Sequence, residues 1–428
     1  MSDSSLTAGS TSVRDLAVAA RASVLSLKRS SHEARNQFLF ALANGLRDQT
    51  EAVEAANAID LAAAHAAGLA PAMLDRLRLD AARIKAMAVD VEHVASLPDP
   101  LAQRFDLRAL PNGLIAHKRR VPLGVLGVIY ESRPNVTIDV AALAIKTGNA
   151  AVLRGGKESI SSNRILMQIA RAALVIAGLP SGALQFVDTI DRGATLELLK
   201  LDDLVDLIIP RGGAGLHAFC RRESRIPVVT GGIGICHLYV DASANLERAL
   251  NVVRNAKVQR PTVCNALDTV LVNARVANDF VLALAEQLSQ DGVEFRCDAA
   301  SLDILRPLNV GASAAGDEDF DTEWLGLTLG IRVVDNAEAA MAHIEAHSSG
   351  HSDGILTEDP AQAEDFLARI DSAAVYWNAS TRFTDGAELG LGAEVAVSTQ
   401  RLHARGPMGL SELTSYKWVI EGDYHVRA

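Results

Sequence analysis

From Gly124 to Thr230 the chain repeats one pattern: a short apolar run, a polar turn, a helical stretch. The apolar runs cover residues 125–129, 150–153, 184–187, 204–209 and 228–230. Helical patterns lie between them at 138–146, 163–177, 195–200 and 214–222. Most of these runs are apolar throughout instead of alternating with polar residues. Strands of that kind are buried on both faces, so the pattern predicts a parallel sheet covered by helices. In such sheets ligands bind outside the carboxyl ends of the strands.

Before this region, residues 13–98 are rich in Ala, Leu and Val with a helical period. Helices are expected at 14–27, 32–47, 51–65, 71–79 and 81–97, as a layer over the sheet. Residues 1–13 are Ser/Thr-rich, without a basic segment followed by an apolar one, and read as a frayed tail. Pro111-Asn112-Gly113 is a turn signal, and 114–120 reads as an exposed charged strand. After Val240 the α/β reading resumes. It gives a helix up to Lys257, strands at 269–272, 331–334 and 374–377, helices at 279–289, 337–346 and 361–370, and a final strand at 415–420. Residues 347–354 read as a polar turn, and 384–409 as a long glycine-containing loop.

A net charge of -11 argues against nucleic-acid binding, which needs a basic footprint. It leaves room for an anionic substrate held by local cations. The longest uncharged apolar stretch, 226–240, is interrupted by Pro227 and three glycines and is too short to span a bilayer. The four cysteines form no C-x-x-C pair, so a reduced, cytoplasmic protein is expected. His237 and His351 lack metal-ligand spacing, and no metal is expected.

One cysteine stands apart. Lys257-Val258-Gln259-Arg260-Pro261-Thr262-Val263-Cys264-Asn265 joins a helix to a β-branched run. A thiol at such a junction, near two cations, is in a setting that favours the thiolate. Cys264 is therefore the candidate nucleophile, whereas a buried apolar role is expected for three of the four thiols. Asn135, in the turn after the 125–129 run, reads two ways: as a helix cap, or as an amide donor to an oxygen that becomes negative. Arg154-Gly155-Gly156-Lys157 is either a solvated turn or a phosphate contact. Gly213-Ala214-Gly215-Leu216-His217-Ala218 fits a loose G-x-G-x-x-G/A pattern before a helix, whose N-terminus suits a pyrophosphate. His403 and Arg405 sit on flexible backbone suited to anion contact.

Taken together the segments resemble the aldehyde dehydrogenase superfamily, and within it the enzymes that reduce L-glutamyl 5-phosphate in proline biosynthesis. The resemblance runs from about residue 18 to 418. It rests on Val121-Pro122-Leu123-Gly124-Val125-Leu126-Gly127-Val128-Ile129-Tyr130-Glu131-Ser132-Arg133-Pro134-Asn135-Val136-Thr137 and on Lys146-Thr147-Gly148-Asn149. Arg154-Gly155-Gly156-Lys157-Glu158, Pro210-Arg211-Gly212-Gly213 and Gly234-Ile235-Cys236-His237 add to it. Val258 to Asn265, Asn378-Ala379-Ser380-Thr381-Arg382-Phe383 and Arg405-Gly406-Pro407-Met408-Gly409-Leu410 complete the set.

The resemblance implies an α/β fold with a Rossmann-type parallel-sheet cofactor domain, an α/β catalytic domain and a small oligomerisation arm. The implied division is a helical layer of the cofactor domain at 1–106, arm strands at 107–122 and an NADP-binding domain at 123–236. A catalytic domain at 237–395 and a returning arm strand at 396–428 complete it. Cys264 aligns with the nucleophile and Asn135 with the oxyanion amide. Glu323 falls where a nicotinamide ribose is held. Arg154 and Lys157 fall at the adenosine ribose, which implies NADPH over NADH, and Arg211, Gly212 and Gly213 complete the cofactor loop. Arg133, His237, Arg260 and Arg405 are the basic groups expected around the substrate. Residues 228–234, where hydrolytic members carry a general-base glutamate, hold no carboxylate. Water is then poorly activated, and phosphate is expected as the exchanging group. A homodimer or homotetramer and an association with glutamate 5-kinase are further implications. Thioester chemistry on an aspartyl or acetylated glutamyl substrate is the rival enzyme reading, and a non-catalytic scaffold the rival of another class.

Overall fold

A computed structural model describes residues 12–231 and 233–427. Residues 1–11, expected as a frayed tail, lie outside the described residues. The chain forms two compact units. One takes in the chain up to Thr230 with residues 391–396 and 408–428; the other comprises 231–390 and 397–407.

The first unit opens with helices α1 (Val13–Arg29), α2 (His32–Asp48), α3 (Thr50–Ala66), α4 (Pro71–Leu77) and α5 (Ala81–Ser96). Their ends lie within two residues of those read from apolar periodicity. Ser12, Ser31 and Asp80 accept backbone N–H groups at helix starts, as N-caps do. On α2 the stripe Phe38, Leu39, Leu42 and Leu46 is completely buried. Strands β1 (Arg104–Ala109) and β2 (Ile115–Pro122) follow as an antiparallel pair. The charged strand read at 114–120 is β2; β1, exposed at five of its six residues, offers no buried apolar run.

The anticipated parallel sheet is next: β3 (Val125–Tyr130), α6 (Asn135–Lys146), β4 (Ala150–Arg154), α7 (Ile160–Ile176), β5 (Leu184–Phe186), α8 (Gly193–Leu198), β6 (Leu207–Arg211) and α9 (Ala214–Glu223). The strands lie in the order β5-β4-β3-β6, all parallel. Every residue of β3 is buried, which explains its unbroken apolar run. The expected fifth strand, 228–230, is reduced to one bridge between Ile208 and Val228. Gly148, at φ 73°, closes α6 through backbone bonds of Gly148 and Asn149 to Ile145 and Ala144, as anticipated for a C′ glycine. Buried Asn149 then accepts the Gly124 N–H and donates to the Leu413 carbonyl, each at 2.8 Å. The Lys146-Thr147-Gly148-Asn149 segment is thus scaffold.

The second unit runs β7 (Cys236–Val240), α10 (Leu246–Val258), β8 (Leu267–Asn273), α11 (Ala277–Gln290), β9 (Glu294–Cys297), α12 (Ala299–Leu305), β10 (Ala312–Ala314) and β11 (Thr328–Val334). It continues with α13 (Ala337–His347), β12 (Ser352–Leu356), α14 (Pro360–Arg369) and β13 (Ala374–Trp377). Its seven parallel strands lie in the order β10-β9-β11-β8-β7-β12-β13. Successive side chains feed opposite cores, as strand geometry requires. Leu238 and Val270 pack with Phe280, Leu284 and Phe295, while Tyr239 and Leu271 pack with Met341, Ile355 and Phe366. The segment read as a polar turn, 347–354, corrects to the entry of β12, because Ser352 and Asp353 are buried polar residues held by hydrogen bonds. Two short strands, β14 (Val397–Ser398) and β15 (Gly406–Pro407), pair within the 384–409 loop. The chain re-enters the first unit, where β16 (Thr414–Glu421) pairs with β2 along its whole length. Among the described residues no helix is long and apolar enough to cross a membrane.

Candidate active site

In the first unit the chain runs outward from β3 to β4 and β5, then returns to place β6 on the other side of β3. That reversal marks where a ligand crevice is expected, outside the carboxyl ends of β3 and β6. The turn leaving β3 contains Ser132 at φ 41°, then Arg133, Pro134 and Asn135. Asn135 does not cap α6: Pro134 occupies the cap position, without a side-chain cap bond. The Asn135 amide instead donates from Nδ2 to Oδ2 of Asp139, one turn along, at 2.9 Å. Burial pushes the Asp139 carboxyl up to about 6, against the opposing charge of Arg211.

Arg154 and Lys157 part company. Arg154 is buried, and its guanidinium donates to the carbonyls of Gly155 and Asp191. Burial lowers its pKa. It braces the turn and is not turned out toward a ligand, as the sequence reading had it. Lys157, in contrast, is exposed just beyond Gly156. At the start of α9 the Gly213 N–H donates to the Glu131 carboxylate at 3.2 Å, and the space around Gly213 and Gly215 is open. That N–H therefore already binds an anionic group, as helix N-termini do.

In the second unit the cysteine loop lies before β8, at the amino-terminal edge of the sheet. The segments entering β7 and β11 lie at that same edge. Cys264 is half-buried, while Cys220, Cys236 and Cys297 are buried. Burial raises the other three thiols: Cys220 to about 12, Cys297 to about 11 and Cys236 well above the ordinary value. They remain neutral at physiological pH, which leaves Cys264 as the accessible sulfur.

Several bonds hold its backbone. The Cys236 thiol donates to the Cys264 carbonyl at 3.3 Å. Asn265 donates to the carbonyls of Thr384 and Arg382 at 3.0 and 3.3 Å, and accepts at its own carbonyl from Thr381 at 2.7 Å. The Gly234 N–H donates to Glu323 at 3.0 Å, so the Glu323 carboxylate braces the segment packed against Cys264.

The cations around the thiol differ from those expected. Lys257 is fully buried; its ammonium donates to the Leu267 carbonyl at 2.8 Å and lies 3.9 Å from Asp268. It secures the base of the loop. Arg382 takes its place. Burial lowers its pKa, Asp385 opposes this, and Arg260 and Cys264 lie near enough to act on it electrostatically. Its Nε donates to Gln259 at 2.9 Å. In the sequence Arg382 is marked only by the Asn378 to Phe383 motif; no local spacing shows that the segment after β13 returns to the loop before β8.

Two residues expected as substrate contacts have carboxylate partners of their own. His237 is fully buried on β7, with Nδ1 2.9 Å from Asp353 and its ring against His343. Arg405 pairs with Asp371 at 2.7 Å. Arg260 is exposed beside Arg382's field.

One unit thus carries a half-buried thiol on a braced loop with Arg382 in its electrostatic neighbourhood, and the other a parallel sheet with a helix start whose N–H binds a carboxylate. Residues 5–300 match the model of the aldehyde dehydrogenase family, and the chain belongs to that family. Among its relatives, the gamma-glutamyl phosphate reductase of Roseiflexus castenholzii is 53% identical over 423 residues, covering 98% of this chain and all of that one. The crystal structure of gamma-glutamyl phosphate reductase from Thermotoga maritima superposes with a TM-score of 0.94 at 41% identity, over 97% of this chain and 100% of that one. Within the family, the chain thus belongs to the gamma-glutamyl phosphate reductase group of oxidoreductases. An engineered glycolyl-CoA reductase with bound NADP+ shares the fold at 15% identity and a TM-score of 0.67, over 95% of this chain and 96% of that one.

Proposed function

We propose that the chain reduces L-glutamyl 5-phosphate to L-glutamate 5-semialdehyde and phosphate with NADPH, the second step of proline biosynthesis. The observation that carries this is Cys264: one accessible thiol on a braced loop, with Arg260 and Arg382 about it and no carboxylate in residues 228–234. The names of the relatives point to the same acyl phosphate.

The Cys264 thiolate adds to the acyl carbon, the bond to the phosphate oxygen breaks, and a thioacyl enzyme remains. By the family resemblance Asn135 takes the role of amide donor to the oxygen that becomes negative; one such donor is worth about 3 kcal/mol. Arg260 and Arg382 neutralise the departing phosphate. Reduced nicotinamide, when bound, supplies the hydride to the thioester carbon. The carbon–sulfur bond then breaks, which frees the aldehyde and restores the thiolate. Lys157 would hold the 2′-phosphate of the nucleotide, and Arg211, Gly212 and Gly213 its pyrophosphate; the Gly213 N–H, which donates to the Glu131 carboxylate, supports this fit. Glu323 would hold the nicotinamide ribose. The exposed Tyr416, Trp418 and Ile420 on β16 support self-association as a homodimer or homotetramer.

The test runs the reaction backwards. Glutamate semialdehyde and NADP+ should yield NADPH only when phosphate is present. Oxidation at the same rate without phosphate would contradict the proposal.

A further inference from the structure

We propose that Asp139 is a positioning residue for Asn135, setting the direction of the amide N–H offered to the reacting carbonyl oxygen. The inference rests on the oxyanion role given to Asn135 above. Residues four apart on a helix share a face. Asp139 uses that spacing to receive the Asn135 Nδ2–H at 2.9 Å, while Pro134 leaves the Asn135 side chain with no capping bond. An amide can be turned over, exchanging its donor and acceptor edges. A carboxylate only accepts, so it selects the NH2 edge and fixes where the second N–H points.

The groups facing Asp139 come from three elements. Arg211 ends β6, Asp90 lies on α5 with His93 beside it, and Asn135 opens α6. Burial raises the Asp139 carboxyl to about 6, Arg211 opposes this, and Asp90 adds to it. Above that pH the group is a carboxylate. As pH falls through it the group becomes an acid, whose O–H can donate to the amide oxygen and so admit the overturned amide. Turnover should therefore fall on the acid side while substrate affinity holds.

The experiment measures kcat and KM from pH 5 to 8 for wild type, Asn135→Ala, Asp139→Asn, Asp139→Ala and the double variant Asn135→Ala/Asp139→Ala. Folding is checked by thermal melting. Asp139→Asn, which keeps the volume, should lower kcat about tenfold, part of what a lost oxyanion donor costs. It should leave KM unchanged and abolish the acid limb near pH 6. The double variant should be no slower than Asn135→Ala alone. If Asn135→Ala is slow but both folded Asp139 variants keep the wild-type kcat and acid limb, the positioning role is wrong and the reading of Asn135 stands. A double variant slower by the product of the single losses would also overturn it, since Asp139 would then act independently. If Asn135→Ala keeps the wild-type kcat, the oxyanion role itself fails and takes the proposal with it.

Discussion

The α-carbon of Gly234 lies so close to Cys264 that an added Cβ would sit 1.6 Å from the Cys264 carbonyl oxygen. No side chain fits there without displacing the loop that carries the sulfur. Gly234→Ala should therefore cut kcat by about 100-fold, the penalty typical of a reacting group misplaced by about 1 Å. Strain should cost about 1–3 kcal/mol of stability. Steady-state kinetics with a denaturant titration would check both. A variant with the wild-type kcat would show that the loop's placement does not govern turnover.

The two cations after β4 should separate by function. Lys157→Ala should lower kcat/KM for NADPH about 10- to 100-fold, as loss of a charge-assisted contact to a phosphate does, and leave NADH use unchanged. Arg154→Ala should affect both nucleotides alike and lower the melting temperature, because its guanidinium holds the Gly155 and Asp191 carbonyls. Equal effects of Lys157→Ala on both nucleotides would remove that lysine from 2′-phosphate recognition.

Arg260→Ala and Arg382→Ala should each raise KM for the acyl phosphate about tenfold or more, the scale of one charged hydrogen bond. Arg405→Ala should leave KM alone. Its partner Asp371 is exposed, and an exposed pair is worth about 1 kcal/mol at most. KM values for the three variants, measured side by side, check the assignment. A rise confined to Arg405→Ala would invert it.

Beneath the cysteine loop the buried pair Lys257 and Asp268 should make stability depend on pH. Burial lowers Lys257 to about 8 and raises Asp268 to about 6. Lys257→Met leaves the Asp268 carboxylate buried without its cation, which should cost about 3–5 kcal/mol at pH 7.5. The native carboxyl pKa lies above the unfolded value, so the folded protein binds the extra proton as pH falls through about 6. The unpaired charge then disappears in the variant, while the wild type carries Lys257 opposite a neutral acid. The gap should shrink by pH 5 in denaturant titrations. A gap independent of pH would show that Asp268 is not the group left unpaired.

Much of this architecture is legible in the residues. Unbroken apolar runs mark β3 and β4 because both faces are buried, and Gly148 marks the end of α6 because only glycine readily takes its backbone. Cys264 stands out by its junction. What escapes is long-range. Arg382 reaches the thiol's neighbourhood only because the chain after β13 folds back to Asn265, and no local period carries that information. Lys257 and Arg154 look like solvated cations in one dimension, yet they are buried to hold carbonyls. His237 has no nearby signal of its pairing with Asp353, 116 residues away. The usual rule of carboxyl-edge sites points to the ends of β3 and β6 but misses the thiol, which sits at the amino-terminal edge of its sheet.

The most direct measurement is of the covalent intermediate. Wild-type protein mixed with L-glutamyl 5-phosphate in the absence of nicotinamide should gain the mass of one glutamyl group on the peptide containing Cys264, with release of phosphate. Cys264→Ala should show neither, and should be inactive in both directions with NADPH or NADP+. Appreciable turnover by folded Cys264→Ala would contradict the thioacyl route.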